Sequence, residues 1–306
     1  MRILITGATG LIGQALTRLC HDQGIVVHYL TTSKGKIENT PLYRGFYWDA
    51  KTGEIDEAAF EEVDTIIHLA GANIAERWTD KYKKIILESR INTARLLYDT
   101  LSRKQTSVKQ FISASAIGAY PSSKTKYYTE SYPEYNDGFL GTVVKAWERE
   151  ADRFIELGVE VAKVRIGLVL AEEDGALPQL VKPIAYNVGA PLGSGEQWQS
   201  WIHIQDLAGI LLFAAQQKLS GVYNAVGPNP VTQGEMTRMI AKILDKSLWL
   251  PKVPAWVLKT LLGEMAAVVL ESQRVSSDKI EEAGYRFEYQ QLYPALEDLL
   301  PLKNPT

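Results

Sequence analysis

The stretch that decides the fold is Gly7-Ala8-Thr9-Gly10-Leu11-Ile12-Gly13, which follows the apolar run Arg2–Thr6 and precedes a segment of helical period. Three glycines between a predicted strand and a predicted helix are typical of a dinucleotide-binding turn. Gly7 allows the tight turn, Gly10 lets the backbone approach a pyrophosphate, and Gly13 lets the helix pack closely on the strand. The helix N-terminus then favours phosphates. An ordinary strand-to-helix turn is the alternative.

Outward from this turn, short runs rich in Ile, Val and Leu alternate with longer segments of helical period. This pattern predicts an α/β fold, a Rossmann doubly wound parallel sheet. After about residue 170, Gly- and Pro-marked loops favour a smaller C-terminal substrate lobe. We therefore assign residues 1–170 to the dinucleotide-binding domain, with part of the later chain returning to it, and residues 171–306 to the lobe and a C-terminal module. The predicted strands are 2–6, 26–31, 65–69, 110–113 and 161–169, and the predicted helices are 11–23, 81–103, 140–157, 232–244 and 253–270.

The composition is that of a globular protein, with 46% hydrophobic and 23% charged residues. A net charge of −3 disfavours a dedicated nucleic-acid surface. The single cysteine, Cys20, excludes an intramolecular disulfide framework and fits a reducing compartment. Because the opening apolar run is too short for a signal peptide and no stretch reaches a membrane span of about 20 apolar residues, we expect a cytoplasmic protein without membrane or nucleic-acid partners. The histidines are dispersed, so no metal site is predicted.

The end of the second predicted strand indicates whether the dinucleotide is NAD or NADP. NAD-binding folds place an acidic residue there, which hydrogen-bonds the ribose 2′-hydroxyl. Here the chain reads Leu30-Thr31-Thr32-Ser33-Lys34, without a carboxylate. The hydroxyls of Thr32 and Ser33 and the charge of Lys34 suit a 2′-phosphate instead, so the predicted cofactor is NADP(H). A solvated loop lysine is the alternative for Lys34.

The next predicted strand ends in His68-Leu69-Ala70-Gly71, whose small residues let the backbone lie against the adenosine half of the dinucleotide. His68, which precedes them, is interpreted as structural. The predicted cofactor contacts are Gly7, Thr9, Gly10, Leu11, Ile12, Gly13, Thr32, Ser33, Lys34, Leu69, Ala70, Gly71 and Ser113.

Further short motifs occur in a fixed order along the chain. With the glycine turn, they resemble the extended short-chain dehydrogenase/reductase superfamily, and specifically its atypical YfcH-like branch, which is nucleotide-sugar-epimerase-like. The resemblance implies a Rossmann domain, NADP(H) binding, a C-terminal substrate lobe and a C-terminal module of unknown function, without a defined reaction. The motifs are His68-Leu69-Ala70-Gly71-Ala72, Ser113-Ala114-Ser115-Ala116-Ile117-Gly118, Trp147-Glu148, Arg165-Ile166-Gly167-Leu168-Val169-Leu170, Trp201-Ile202-His203-Ile204-Gln205-Asp206, Tyr223-Asn224-Ala225, Ser272-Gln273-Arg274-Val275 and Gly284-Tyr285-Arg286-Phe287.

The catalytic motif of the superfamily is where this chain departs. Typical members carry Tyr-x-x-x-Lys on the helix after the serine strand, and the tyrosine exchanges a proton with the substrate as hydride moves. If Lys145 takes the lysine position, the tyrosine position is Gly141. Alignment on Glu148 places Leu140 and Val144 there instead. Neither register supplies the tyrosine, and Lys145 is either a ribose contact or a surface lysine of an amphipathic helix.

Other side chains are candidates for the chemistry. The resemblance puts Ser115 in the serine position, where its hydroxyl either polarises a substrate oxygen or caps its strand. Tyr120, in the loop that follows, is a candidate replacement acid, and its phenol would need a neighbouring positive charge. Weaker candidates for the acid are Glu130 and His203. Candidate substrate contacts are Trp201, beside Trp198, and Arg165 and Arg274, whose guanidinium groups match phosphate or carboxylate; core packing and structural ion pairs are the alternatives.

Two functions remain open from the sequence. The first is an NADP(H)-dependent oxidoreductase or epimerase acting on a small polar substrate, a nucleotide sugar or a carbonyl compound, with a homodimer as a candidate assembly. The second is a non-catalytic NADP(H)-binding protein that senses redox state or regulates a partner, and the missing tyrosine motivates it.

Overall fold

The structure is a computed structural model that describes residues 1–104 and 106–300. At the centre of the fold is an eight-stranded sheet. In chain order the strands are β1 (Arg2–Thr6), β2 (Val26–Thr31), β3 (Tyr43–Asp49), β4 (Glu54–Ile55), β5 (Thr65–His68), β6 (Gln110–Ala116), β7 (Tyr127–Tyr128), β8 (Glu160–Ile166), β9 (Leu168–Leu170), β10 (Trp198–Gln199), β11 (Trp201–His203), β12 (Gly221–Ala225), β13 (Val231–Thr232) and β14 (Arg274–Val275).

The helices lie between these strands and in the later part of the chain. They are α1 (Leu11–Asp22), α2 (Asp80–Arg103), α3 (Phe139–Asp152), α4 (Ala176–Ala185), α5 (Ile204–Gln216), α6 (Gln233–Ile243), α7 (Ala255–Leu262), α8 (Ala267–Leu270), α9 (Asp278–Glu282) and α10 (Leu292–Leu299). Short 3-10 turns cover Lys34–Lys36, Glu57–Phe60, Ile117–Ala119, Arg153–Leu157 and Gly263–Ala266.

The central sheet has the order β12-β8-β6-β5-β1-β2-β3-β4, and all neighbours are parallel except β3 and β4. The chain moves outward from β1 to β3 and then returns to β5 on the other side of β1. Doubly wound sheets bind ligands at the carboxyl ends of the strands beside such a switch point. The predicted Rossmann sheet is confirmed, and its crevice lies beside β1 and β5.

Alternation along the buried strands places side chains on both faces of the sheet. In β1, Ile3 and Ile5 belong to the core beneath α1 and α5, whereas Leu4 belongs to the core beneath α2 and α3. Both faces are covered by helices, which is why these strands read as continuous apolar runs rather than as alternating ones.

The later chain contributes to both parts of the molecule. Strand β12 pairs with β8 at one edge of the central sheet, and α5 packs against α1. Helices α4, α6 and α10 enclose a separate apolar core that contains Leu177, Met236 and Leu296. No helix among the described residues is long and apolar enough to span a membrane, and none of their acidic, His or Cys side chains form a group of three suited to a metal ion.

Two predicted elements differ in the structure because of glycine. The helix predicted over 253–270 divides into α7 and α8 at Gly263, whose φ of 63° lies outside the right-handed helical region. The strand predicted over 161–169 divides into β8 and β9 at Gly167, where a Cβ would lie 2.3 Å from the carbonyl oxygen of Ser200. The divided segment after Pro254 packs Met265 and Ala267 into one apolar cluster with Phe139 and Leu140 at the start of α3.

Candidate cofactor and active site

The glycine turn connects the carboxyl end of β1 to α1, and two of its glycines are required by the packing of the protein itself. Gly7 has a φ of 75°, and a Cβ there would lie 3.1 Å from the amide nitrogen of Ala70. A Cβ on Gly13 would lie 2.2 Å from the carbonyl oxygen of Gly7. Larger residues at either position would therefore push the turn away from β5 or from α1.

Gly10 differs because its protein surroundings would accept a side chain. Its φ is −89°, and a Cβ there would meet only the carbonyl oxygen of Gly7, at an ordinary contact distance of 3.4 Å. No side chain caps α1, and its first turn contains no acidic residue. The first amides of α1 have no partners inside the helix and lie at the positive end of its dipole. The open space at Gly10 beside these amides fits a dinucleotide diphosphate.

The backbone after β5 forms a wall of the crevice beside the glycine turn, and an array of hydrogen bonds holds it in place. The Thr6 hydroxyl accepts from the amides of Leu69 and Ala70, at 3.2 Å each, and its one proton is therefore left for Nδ1 of His68 at 2.7 Å. Nε2 of His68 then donates to the Thr93 hydroxyl at 3.2 Å. Burial lowers the pKa of His68 to about 3, so the ring is neutral. His68 thus fixes the backbone after β5.

The loop after β2 presents the residues predicted to select the dinucleotide. Thr32, Ser33 and Lys34 are exposed beyond the end of the strand. The Lys34 ammonium lies 4.7 Å from the centre of the Tyr47 ring. The Tyr29 hydroxyl donates to the carbonyl of Lys36 at 2.6 Å and so fixes the loop that carries them.

A buried polar cluster lies at the carboxyl ends of β6 and β8, and the Glu148 carboxylate is its centre. Ser115 and Arg165 are register partners on these strands. The Ser115 hydroxyl donates to Oε1 of Glu148 at 2.6 Å, and the Tyr135 hydroxyl donates to Oε2 at 2.7 Å. Arg165 donates from Nε and Nη2 to the two carboxylate oxygens at 2.8 and 2.9 Å. The carboxylate therefore accepts four hydrogen bonds.

This cluster keeps Glu148 charged. Burial by itself would raise the pKa of Glu148, but the Arg165 guanidinium and the hydroxyls of Ser115 and Tyr135 hold it below its ordinary value. The Ser115 hydroxyl has one proton, and that proton is donated to Glu148. Ser115 can polarise a substrate oxygen only when this proton turns away from the carboxylate.

Tyr120 lies beside the same cluster but is completely buried. Its hydroxyl donates to Oδ1 of Asn224 at 2.7 Å, and the Arg165 guanidinium lies 5.0 Å from its ring centre. The positive charge that the proton-donor hypothesis requires is therefore nearby. Burial nevertheless raises the pKa of Tyr120, and the side chain has no exposed surface, so its surroundings support a packing role.

The orientation of α3 decides between the two registers left open by the sequence. Glu148 and Val144 are buried on the inner face of the helix, and Leu140 packs against Gly118 on the same side. Lys145 is exposed on the outer face, in a groove that is also lined by Arg95 and Arg149. One residue turns a helix by about 100°. The tyrosine and lysine positions are therefore Leu140 and Val144, and the placement of Lys145 separates it from the crevice.

The remaining candidates have structural surroundings. Trp201 is completely buried and donates to the carbonyl of Asn229, so it lies in the core of the lobe rather than on a pocket wall. Arg274 stacks on Tyr127 and Trp198 at the surface. His203 caps α5 by accepting from the Gln205 amide, Glu130 accepts from the Asn224 amide, and the buried Ser113 hydroxyl donates to the carbonyl of Ala114.

Sequence reasoning missed several residues of this region. The sequence motifs include Glu148 without indicating its partners, and Tyr135 lies in no motif, because the roles of both residues depend on strands that meet in space. A signal was available for Arg90, which interrupts the apolar face of α2 between Ile86 and Ala94. A cation in a buried helical stripe is uncommon and points to a partner.

Comparison with known proteins matches two parts of the chain to family models. Residues 3–227 match the model of the NAD dependent epimerase/dehydratase family, and residues 253–299 match a domain of unknown function, DUF1731. Epimerase family protein SAR0825 of Staphylococcus aureus is 36% identical over 300 residues, which cover 97% of this chain and 98% of that protein.

Two solved structures have the same overall fold. The human epimerase family protein SDR39U1 (isoform 2), solved with NADPH, is 30% identical with a TM-score of 0.85, covering 98% of this chain and 99% of that one. UDP-glucuronic acid 4-epimerase from Bacillus cereus, solved with UDP-glucuronic acid and NAD, has a TM-score of 0.79 over 98% of each chain. Its identity of 17% shows the fold alone. One structure holds NADPH and the other NAD, so they do not decide the nucleotide form for this chain.

Proposed function

This chain belongs to the NAD-dependent epimerase/dehydratase family, and from that premise we propose that it is an NADP(H)-dependent oxidoreductase or epimerase-like enzyme acting on a small polar substrate. Membership of the family confirms the resemblance of the sequence motifs and of the C-terminal module. The substrate class we propose is a nucleotide sugar or a carbonyl compound. The observation that carries the proposal is the open position at Gly10 beside the uncapped first turn of α1.

The NADP(H) form is supported by the loop after β2. Thr32 and Ser33 offer hydroxyls and Lys34 offers a positive charge, and no acidic residue stands where a free 2′-hydroxyl would be recognised. The NADPH held by the human relative is in keeping with this preference.

Different residues of the chain would have different roles in such a site. A bound nicotinamide would donate or accept hydride at the carboxyl ends of β5 and β6. Thr6 and His68 hold the Leu69–Ala70 backbone against the turn, while Glu148 fixes Ser115 at the end of β6. With Leu140 and Val144 in the tyrosine and lysine positions, the usual proton relay is replaced by an apolar surface, which excludes water from the inner face of α3.

Binding is tested with a pair of substitutions at one position. Gly10→Ala fits the available space, whereas Gly10→Val fills the approach that we assign to the diphosphate. We expect titration calorimetry to give tighter binding of NADP(H) than of NAD(H) by the natural chain, and no binding by Gly10→Val despite unchanged thermal unfolding. Tighter NAD(H) binding would overturn the nucleotide preference, and retained affinity in Gly10→Val would overturn the binding mode.

Activity is tested separately, with NADPH oxidation across a panel of carbonyl compounds. Removing a hydroxyl that stabilises developing charge lowers turnover by about 100-fold or more, and we expect this for Ser115→Ala. The control is Ser107→Ala, which precedes the amino end of β6 and is remote from the crevice, and whose hydroxyl donates to the carbonyl of Val63. Unchanged turnover in Ser115→Ala would remove Ser115 from the chemistry.

A second function is favoured by the apolar surface at Leu140. That side chain packs with Phe139, Met265 and Ala267 where a catalytic tyrosine would stand. A non-catalytic NADP(H)-binding protein that senses redox state would bind the dinucleotide, gain thermal stability from it and turn over no substrate. Substrate-dependent oxidation of NADPH by the purified protein would exclude this function.

A further inference from the structure

Arg90, on the third turn of α2, is a buried cation that the site described above does not use. Its side chain lies on the inner face of the helix, and the residue is 9% exposed. Nη1 donates to the carbonyl of Ile86 at 2.9 Å, and Nη2 donates to the carbonyl of Ala72 at 3.3 Å. Nε has no hydrogen-bond partner. Several of its N–H groups are therefore available.

No carboxylate neutralises Arg90 within the part of the chain that the structure describes. Its guanidinium stacks on the ring of Trp147, 4.9 Å from the ring centre, and Nε1 of Trp147 also lacks a partner. Burial lowers the pKa of Arg90 to about 10, so it stays charged at neutral pH. A buried charge without a counter-charge is strongly unfavourable, and two unpaired donors beside it make an anion the fitting partner.

The position of Arg90 identifies the side from which an anion would come. A Cβ on Gly71 would lie 3.2 Å from Cζ of Arg90 and 3.4 Å from Nη1, so the guanidinium lies against this glycine. Gly71 itself is exposed at the end of β5. The two residues before it form the wall that contacts Gly7. The absence of a side chain at position 71 therefore opens Arg90 toward the crevice, next to the glycine turn.

We propose that Arg90 anchors the diphosphate of the bound dinucleotide, from the α2 side of the crevice. This inference rests on the proposed function and adds to it a residue that no sequence motif marks. Guanidinium groups bind phosphate oxygens through charge-assisted hydrogen bonds, which are stronger where water is excluded. Val144 stands in the lysine position of α3, and the Glu148 carboxylate neutralises Arg165. Among the described residues, Arg90 is thus the buried positive charge left for the cofactor.

The test compares three ligands and three substitutions by titration calorimetry. NADP⁺ and NAD⁺ both carry the diphosphate, whereas adenosine 2′-monophosphate carries the 2′-phosphate and neither phosphate of the diphosphate. We expect Arg90→Met to weaken NADP⁺ and NAD⁺ binding by about tenfold or more and to leave the binding of adenosine 2′-monophosphate within about twofold. Lys34→Met is the matched control, and it should weaken the binding of NADP⁺ and adenosine 2′-monophosphate while sparing NAD⁺. Arg90→Lys, which keeps the charge, should recover part of the lost affinity.

The possible outcomes separate this inference from the proposed function. A natural chain that binds neither dinucleotide would overturn both. A natural chain that binds NADP⁺ while Arg90→Met binds it equally well would overturn only the role of Arg90. Equal losses for adenosine 2′-monophosphate and NAD⁺ in Arg90→Met would mean that the substitution disturbs the wall of the crevice, and they would also overturn the role of Arg90. Thermal unfolding of each unliganded variant, with Arg90→Lys as the second variant, confirms that the fold is retained.

Discussion

Arg165 and Arg90 are both buried beside the crevice, and the protein treats their charges in opposite ways. Arg165 pairs with both oxygens of Glu148 and lies between the rings of Tyr120 and Tyr135. Arg90 bonds to two backbone carbonyls and stacks on Trp147 without a carboxylate among the described residues. Arg165, whose burial serves the fold, has its counter-charge within the chain. Beside Arg90, the exposed Gly71 leaves room for a counter-charge from a ligand.

The largest difference is expected when the Arg165 pair is broken. Glu148→Gln keeps the shape of the side chain but leaves Arg165 buried without a counter-charge, so the free energy of unfolding should fall by about 3 to 5 kcal/mol. Urea denaturation measures the change. The matched control is Glu150→Gln on the same helix, because its partners Arg95 and Arg153 are partly exposed and the loss should be about 1 kcal/mol. Equal losses in the two variants would contradict the special role of the Glu148 pair.

Acid should weaken the Arg165 site and leave the Arg90 site unchanged. The pKa of Glu148 is lowered from 4.5 in the folded chain, so the contribution of the pair is complete above about pH 4.5 and is lost as the pH falls through the lower folded value. The stability difference between the natural chain and Glu148→Gln should therefore shrink as the pH falls below about 4.5. The difference for Arg90→Met should stay constant, since no carboxylate among the described residues pairs with it. Urea denaturation at several pH values checks both curves, and parallel curves would contradict the comparison.

A smaller effect is expected at the edge of the Arg165 cluster. Ser115→Ala removes one of four hydrogen bonds to Glu148, and bonds to charged groups contribute about 1.5 to 3 kcal/mol, so the unfolding free energy should fall by an amount in this range. Ser113→Ala, which removes a bond between neutral groups, should lose less. A loss below that of Ser113→Ala would mean that the Ser115 hydroxyl does not support the carboxylate.

The smallest effect is expected at Arg90 in the unliganded protein. Arg90→Met removes an uncompensated charge and keeps most of the packing on Trp147, so the unfolding free energy should change by less than about 1 kcal/mol. Thermal unfolding without and with saturating NADP⁺ measures this, and the ligand-induced rise should be smaller in the variant than in the natural chain. A loss of several kcal/mol without ligand would mean that Arg90 serves the fold, as Arg165 does.

Much of the fold could be predicted because its signals are local. The glycine spacing before α1 and the apolar runs of β1, β2 and β5 follow from neighbouring residues, and the predicted bounds of β1 and β2 agree with the structure. The glycine turn also indicated the crevice. Gly263 and Gly167 divided predicted elements because their effect depends on backbone conformation and on distant contacts, which the apolar pattern does not contain.

The candidate site could be predicted only on its cofactor side. The pairing of Glu148 with Arg165 and Ser115 requires β6 and β8 to lie side by side, although about 50 residues separate their partners along the chain. The face of α3 that carries Lys145 was equally undecided, because a shift of one residue exchanges an inner position for an outer one.

The amino-acid sequence was therefore sufficient to indicate a doubly wound sheet with a glycine turn suited to a dinucleotide, since strand, turn and helix are set by residues close in the chain. Which buried charges are satisfied depends on the folded arrangement. Arg165 meets Glu148 through the order of the strands, and Arg90 meets no carboxylate of the described residues beneath Gly71. The physical reason is that the electrostatic state of a buried group depends on its neighbours in space, which the chain sets only when it folds.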